Sequence, residues 1–153
     1  MTEGVDLLLF NAHVLTMNVN MEQYKCGAVA ISGNTIMAVG DNNDLKSLFQ
    51  GMEEIDCHGM ILMPGLINAH THVPMTLMRA LADDLRLDVW LQGYVWPVER
   101  EFVSPDFVQL GTKLACAELI RSGVTCFADM YFFEEHVARA TAQAGMRAVC
   151  SQT

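Results

Sequence analysis

The sequence lacks long apolar segments and has few basic residues, and each shortage excludes a class of function. No run approaches the roughly 18 uninterrupted apolar residues that a membrane-spanning helix needs. Lysine and arginine number 9 against 18 aspartates and glutamates, for a formal net charge of −9. Because no Lys/Arg cluster is present, the chain is a poor candidate for binding nucleic acid or an anionic membrane surface. We therefore expect neither nucleic acid nor a membrane as a partner, and the acidity itself says nothing positive about a substrate.

Disulfide and secretion signals are also missing. The 5 cysteines are odd in number and scattered, with no CxxC pair. Three of them lie inside apolar runs, where buried free thiols in a reducing compartment are the usual state. The N-terminus has neither a basic region nor a small-residue cleavage site, so no secretory signal is evident. These features predict a cytoplasmic protein.

The first 60 residues have the pattern of an all-β segment. Asp44 is a candidate cap for a short helix ending at Phe49. We expect residues 1–60 to be the N-terminal β segment of a composite β-sandwich. Three strands are predicted, with a hairpin turn at Ser32-Gly33-Asn34 between the second and third: Val5–Thr16, Cys26–Ile31 and Thr35–Val39.

Residues 61–153 read as β-α-β-α-β, which predicts parallel strands with right-handed crossovers. A doubly wound sheet and the start of a (β/α)8 TIM-type barrel both have this order. No GxGxxG or GxxxxGK[ST] follows a strand, which removes the usual nucleotide-binding versions of the first. A complete barrel needs about 250 residues. We therefore predict the α/β class and the first part of a barrel, about three βα units, in an incomplete protein.

Helical elements of this region carry their own signals. From Met75 to about Tyr94 the spacing is helical, with polar interruptions. Ser104-Pro105 is a typical helix start, with Ser at the N-cap and Pro at the first position. Ser122-Gly123 is the matching end. The spacing of apolar residues predicts one buried face for this second helix: Phe107, Leu110, Leu114, Ala117 and Ile120.

The chemistry-bearing segment is PGLINAHTH, Pro64 to His72. Side chains alternate along a strand, so His70 and His72 point to the same face. Two neutral imidazoles at the end of a strand can bind one divalent metal and leave other positions for distant ligands and water. An HxH pair alone occurs often by chance. Here it ends an apolar strand that follows a Pro-Gly turn, at the end of a barrel strand where active sites lie.

These segments resemble the amidohydrolase superfamily. The resemblance rests on PGLINxHTH, the following MTLMRALADDL segment and GVTCFADMYF, and it extends over the whole chain. Within the superfamily the chain is similar to the branch of methylthioadenosine/S-adenosylhomocysteine deaminases, guanine deaminases and triazine chlorohydrolases. Asn68 stands where two-metal branches usually carry Asp, which favours the one-metal deaminases.

The resemblance implies one divalent metal ion, zinc with iron as the alternative, bound by His70 and His72. A third His on strand 5 and an Asp on strand 8 would complete the ligands. A Glu after the strand-5 His would carry protons, and a His on strand 6 would polarise the group under attack. Since none of these later residues lies within 1–153, no catalytic residue is assigned in this chain. The implied function is hydrolytic deamination of a purine nucleoside or related N-heterocycle by metal-activated water.

Four further residues have two interpretations each. The resemblance implies that Glu99, in a Pro-Val-Glu context, binds ribose hydroxyls, whereas the alternative is a solvated carboxylate paired with Arg100. Trp90 and Trp96 either line the pocket or pack the insert, and packing is favoured. Asp129 ends the second barrel strand, where we expect a supporting hydrogen bond rather than a metal ligand.

Two rival functions stay open: a triazine-type chlorohydrolase or other C–N hydrolase of the same branch, and a non-catalytic truncated remnant. A homo-oligomer is compatible with either. A strand-ending His followed by Glu, and later a strand-ending Asp, in sequence beyond Thr153 would favour an enzyme.

The 153-residue chain alone should be catalytically inert, because two imidazoles leave a metal half-coordinated. An open barrel also exposes unpaired strand edges that favour association. An ammonia-release assay on purified 1–153 should show no turnover above buffer, and sustained turnover would contradict this expectation.

Overall fold

The chain divides into two compact units, Met1–Pro64 and Gly65–Thr153. The structure, a computed structural model, describes residues 2–152. Among these residues no helix is both long and apolar enough to cross a bilayer.

The first unit is mainly β, as predicted. One helix interrupts its strands, which are β1 (Glu3–Leu15), β2 (Gln23–Ser32), β3 (Thr35–Asp41), α1 (Asn42–Leu48), β4 (Phe49–Asp56) and β5 (Ile61–Leu62). The sheet order is β3-β2-β1-β4, and β5 also pairs with β1. Strands β2 and β3 form the predicted antiparallel hairpin. The completion of a sandwich by strands from elsewhere in the protein stays a prediction.

Helix α1 begins earlier than expected. Its N-cap is Asp41, whose carboxylate accepts a hydrogen bond from the Asn43 N–H at 2.9 Å. The expectation that Asp44 caps the helix is wrong, because Asp44 lies in the first turn and Phe49 already belongs to β4. Both aspartates suit a helix start, and the sequence alone does not separate a cap from a first-turn charge. Leu45 of this helix packs into the core of the sheet.

The second unit has the predicted β-α-β-α-β order. Its strands β6 (Leu66–Thr71), β7 (Val124–Tyr131) and β8 (Arg147–Gln152) are parallel and lie in the order β6-β7-β8. Between β6 and β7 lie a 3-10 helix (Val73–Met78), α2 (Leu87–Trp90), a π-helical turn (Leu91–Val95), α3 (Trp96–Phe102) and α4 (Pro105–Arg121). Helix α5 (Glu134–Gln143) connects β7 to β8.

The segment after β6 is not one helix. The predicted helical stretch, Met75 to Tyr94, stops at Met78 and resumes only at Leu87. Ala80 and Asp84 have positive φ angles of 62° and 57°. Non-glycine residues rarely adopt this left-handed conformation, and it cannot continue a right-handed helix. Arg79 ties the end of the 3-10 helix to α4 through two hydrogen bonds to Glu118, at 3.1 and 2.6 Å.

Helix α4 starts as predicted but buries a different face. The Ser104 hydroxyl accepts a hydrogen bond from the Phe107 N–H at 3.2 Å, with Pro105 in the first turn. Leu110, Leu114 and Ile120, expected in the core, are exposed. The buried side consists mainly of small residues, because α4 packs closely against the 3-10 helix and α5: Val108, Gly111, Thr112, Ala115 and Cys116.

Gly111 sets the distance between α4 and the chain that follows β6. A Cβ atom at this position would lie 2.6 Å from the Pro74 carbonyl oxygen and 2.9 Å from the Pro74 Cα. Both contacts are with backbone, which cannot rotate away as a side chain can. Any side chain at position 111 therefore displaces Pro74, two residues after His72.

Gly111→Ala should lower the melting temperature although alanine favours helix. Overpacking costs about 1–3 kcal/mol, against a propensity gain of about 1 kcal/mol. The control is Gly93→Ala in the π-helical turn, where a Cβ would meet nothing within 4 Å. Thermal unfolding of both variants checks this. A Gly111→Ala protein that melts at or above the wild-type temperature would contradict the proposed close approach.

Candidate functional site

The two histidines lie together at the carboxyl end of β6. Their ring centroids are 5.3 Å apart, with the rings nearly perpendicular. Zinc–nitrogen bonds of about 2.0–2.1 Å in tetrahedral geometry place two imidazole centroids roughly 5 Å apart. The pair therefore fits two ligands of one ion. Within residues 2–152 no cluster of three or more His, Cys, Asp or Glu side chains suited to a metal is found.

A backbone carbonyl fixes the orientation of His72. Its Nδ1 lies 2.6 Å from the Met130 carbonyl oxygen at the end of β7. A carbonyl can only accept, so Nδ1 is the donor, and in the neutral imidazole Nε2 is the nitrogen that offers a lone pair. Histidines that bind metals typically have this arrangement, with the other ring nitrogen donating to a carbonyl or carboxylate. His70 is held through its backbone, since its N–H donates to Asn68 Oδ1 at 3.2 Å.

A cavity of about 340 Å³ adjoins His72. Its volume falls in the ordinary range for small-molecule sites. Residues from the ends of β6 and β7 and from the insert between them form its wall, which is mostly apolar: His72, Met75, Trp90, Leu91, Val95, Trp96, Glu99, Met130, Tyr131 and Phe132. Both tryptophans therefore lie on the cavity, and the interpretation that they only pack the insert is wrong.

Glu99 is half-buried in this wall and is held by Tyr131. The Tyr131 hydroxyl donates to Glu99 Oε1 at 2.8 Å. Burial, and then the neighbouring Glu99 carboxylate, raise the pKa of Tyr131 above its ordinary value, so the hydroxyl keeps its proton. In the described part of the chain no ion pair joins Glu99 to Arg100. The carboxylate thus has a fixed position beside the cavity.

Asp129 makes the supporting hydrogen bond expected of it. It is 3% exposed, and its Oδ1 accepts from the Val73 N–H at 2.6 Å. Desolvation by burial is the main cause that raises the pKa of this carboxyl, to about 7. Two consecutive residues at the end of β7 therefore hold the chain after β6. Met130 holds His72, and Asp129 holds Val73.

Sequence reasoning missed two contributors to this site, Met130 and Tyr131, and one buried acid near it, Glu134. The Met130 carbonyl is backbone and leaves no trace in residue type. Tyr131 could have been found from its position, because it ends a barrel strand. Its hydrogen bond to Glu99 could not, since the two residues are 32 positions apart in the sequence. Glu134, 5% exposed, reads in sequence as an ordinary acidic residue in the first turn of α5.

Comparison with known proteins agrees with the geometry. The profile of the amidohydrolase family matches residues 61–153. The 5-methylthioadenosine/S-adenosylhomocysteine deaminase of Syntrophobacter fumaroxidans is 50% identical over 147 residues, which cover 96% of this chain and 33% of that protein. The chain thus spans about a third of the length of the relatives that it matches.

Two zinc-bound crystal structures share the fold. An adenosine deaminase from Xanthomonas campestris superposes with a TM-score of 0.93 at 43% identity, over 97% of this chain and 34% of that one. Atrazine chlorohydrolase from Arthrobacter aurescens gives a TM-score of 0.83 at 25% identity, over 95% and 35%. With its parallel βα units and a family match over more than half its length, the chain belongs to the amidohydrolase family.

Proposed function

We propose that the full-length protein is a metal-dependent aminohydrolase that deaminates a purine nucleoside of the methylthioadenosine or S-adenosylhomocysteine type. One observation carries the proposal: His72 and Glu99 line the same cavity. A nucleoside site needs a metal ligand near the base and a hydrogen-bond acceptor near the ribose. The imidazole of His72 suits the first role, and the carboxylate of Glu99 suits the second. The name of the Syntrophobacter relative supports the same substrate class.

His70 and His72 are proposed as two ligands of one zinc ion. Their ring separation of 5.3 Å and the protonated Nδ1 of His72 support this role. Both similar crystal structures hold zinc, which favours it over iron. When bound, the ion supplies an activated water for attack on the carbon that bears the amine. Hydrolysis there breaks the C–N bond, releases ammonia and leaves a carbonyl on the ring.

The rest of the work that this chain does is binding and orientation. Trp90 and Trp96 offer flat apolar surfaces on which a purine can stack, and they exclude water from the cavity. Glu99 can accept two hydrogen bonds, which suits the 2′- and 3′-hydroxyls of ribose. The bond from Tyr131 holds that carboxylate before substrate arrives. A fixed base and a fixed ribose together place the amine-bearing carbon.

A triazine-type chlorohydrolase is the second candidate, favoured by the similarity to atrazine chlorohydrolase. A triazine has no vicinal diol, so it would leave Glu99 without a partner beside an apolar cavity. This argues for the nucleoside.

The five free cysteines support the further proposal of a cytoplasmic location.

Replacing His70 or His72 by Ala in the full-length protein should abolish metal-dependent activity and reduce bound zinc from one ion per chain to a small fraction. Folding should change little, since neither side chain lies in the hydrophobic core. The control is His58→Ala, a histidine exposed by 77% in the first unit. Elemental analysis and circular dichroism provide the readouts. Full zinc content in both site variants would refute the ligand assignment.

Glu99→Gln should lower kcat/KM for methylthioadenosine by roughly 10- to 100-fold, because charge-assisted hydrogen bonds contribute about 1.5–3 kcal/mol each. Adenine or a triazine, which offers no diol, should react at an unchanged rate. Glu101→Gln, an exposed neighbour on α3, is the matched control. Equal losses on both substrates, or none on the nucleoside, would leave Glu99 without a role in ribose binding.

A further inference from the structure

Asp129 and Glu134 form a buried pair of carboxyl groups outside the substrate cavity. They are 3% and 5% exposed, and the two carboxyl groups lie within interaction distance of each other. No N–H or hydroxyl group elsewhere in residues 2–152 donates to Asp129 Oδ2 or to either oxygen of Glu134. No lysine or arginine in that range forms an ion pair with them either.

Such a pair has to hold a proton. Two ionised carboxylates side by side in a low-dielectric interior repel strongly, so one proton lies between them and makes the hydrogen bond. The Cys150 thiol on β8 lies beside the same acids. Burial, and then the neighbouring acids, raise the pKa of Cys150 to about 11, so the thiol stays protonated.

One hydrogen bond connects the pair to the backbone beside His72, a proposed metal ligand. The second oxygen of Asp129, Oδ1, accepts from the Val73 N–H at 2.6 Å. Val73 directly follows His72, whose ring is held by the adjacent Met130 carbonyl. The strand partners of Asp129 are Thr71 on one side and Cys150 on the other. The carboxyl pair therefore braces the backbone at the point where β6 ends and His72 leaves it.

We propose that Asp129 and Glu134 are a positioning pair: Glu134 holds the Asp129 carboxyl, which fixes the His72–Val73 backbone so that His72 meets the metal. The inference rests on the proposed function, because the position of His72 matters to zinc only if His72 binds it. Neither acid lines the cavity that adjoins His72. Their effect passes through the Val73 amide.

The test compares Asp129→Asn, Asp129→Leu and the double variant Asp129→Leu/Glu134→Leu in the full-length protein. Zinc affinity is measured by chelator competition and stability by thermal unfolding. Asn keeps an acceptor oxygen for Val73 and can donate its amide to Glu134, so it should retain wild-type zinc affinity. Leu removes the acceptor and leaves Glu134 without its partner, so both zinc affinity and melting temperature should fall, the affinity about 10- to 100-fold.

The double variant separates positioning from stability. With both acids replaced by apolar groups of similar size, no carboxyl is left unpaired, and the melting temperature should rise above that of Asp129→Leu. The Val73 amide still has no acceptor, so zinc affinity should stay low. A purely structural role predicts that both recover together, and that result would overturn the inference.

Further outcomes distinguish this inference from the function on which it rests. If Asp129→Leu is too unstable to purify, the double variant alone gives the comparison with wild type. Loss of zinc affinity in Asp129→Asn, or wild-type affinity in the double variant, overturns the positioning role while the metal site stands. A wild-type protein that binds no stoichiometric zinc overturns the proposed function itself.

Discussion

The candidate functional site depends on two hydrogen bonds that join the end of β6 to the end of β7. The Met130 carbonyl accepts from the His72 ring, and the Asp129 carboxyl accepts from the Val73 amide. Parallel strands end at the same edge of a sheet, but their backbone bonds do not orient the residues beyond that edge. These two bonds continue the pairing for two residues, so that a histidine outside the strand has a defined ring orientation.

The end of β7 also positions part of the cavity wall. Tyr131 follows Met130 directly and donates to Glu99, which lies on α3 after the long insert. At the end of β7, Met130 therefore holds the candidate metal ligand His72, and the next residue, Tyr131, holds the candidate ribose-binding residue Glu99. The π-helical turn, Leu91–Val95, contributes two residues to the wall between them. π-helical turns are often found at functional sites, and here one turns apolar side chains toward the cavity.

Local patterns predicted what depends on local geometry. The HxH pair follows from the two-residue period of a strand, and Ser104 at a helix start follows from capping. The buried face of α4 could not be found in this way, since it depends on where Pro74 lies, 37 residues earlier in the chain. Large apolar residues suggested burial at Leu110 and Leu114, whereas close packing selected Gly111 and Ala115 instead. The elements that pack against a helix decide which of its faces is buried, and the local sequence does not identify those elements.

Polar burial was harder to predict still, and its cause is physical. Glu134 stands where a solvated acid at a helix start is usual, and Asp129 was expected to make a supporting hydrogen bond without a second buried acid beside it. Each is tolerated in the interior because the other is there, since a shared proton removes one of the two charges. An unpaired buried carboxyl would cost several kcal/mol, so the two positions depend on each other across a five-residue separation. A barrel end that needs a precisely placed histidine gains rigidity from such a pair, because Asp129 also accepts from the Val73 N–H and so fixes the backbone beside His72.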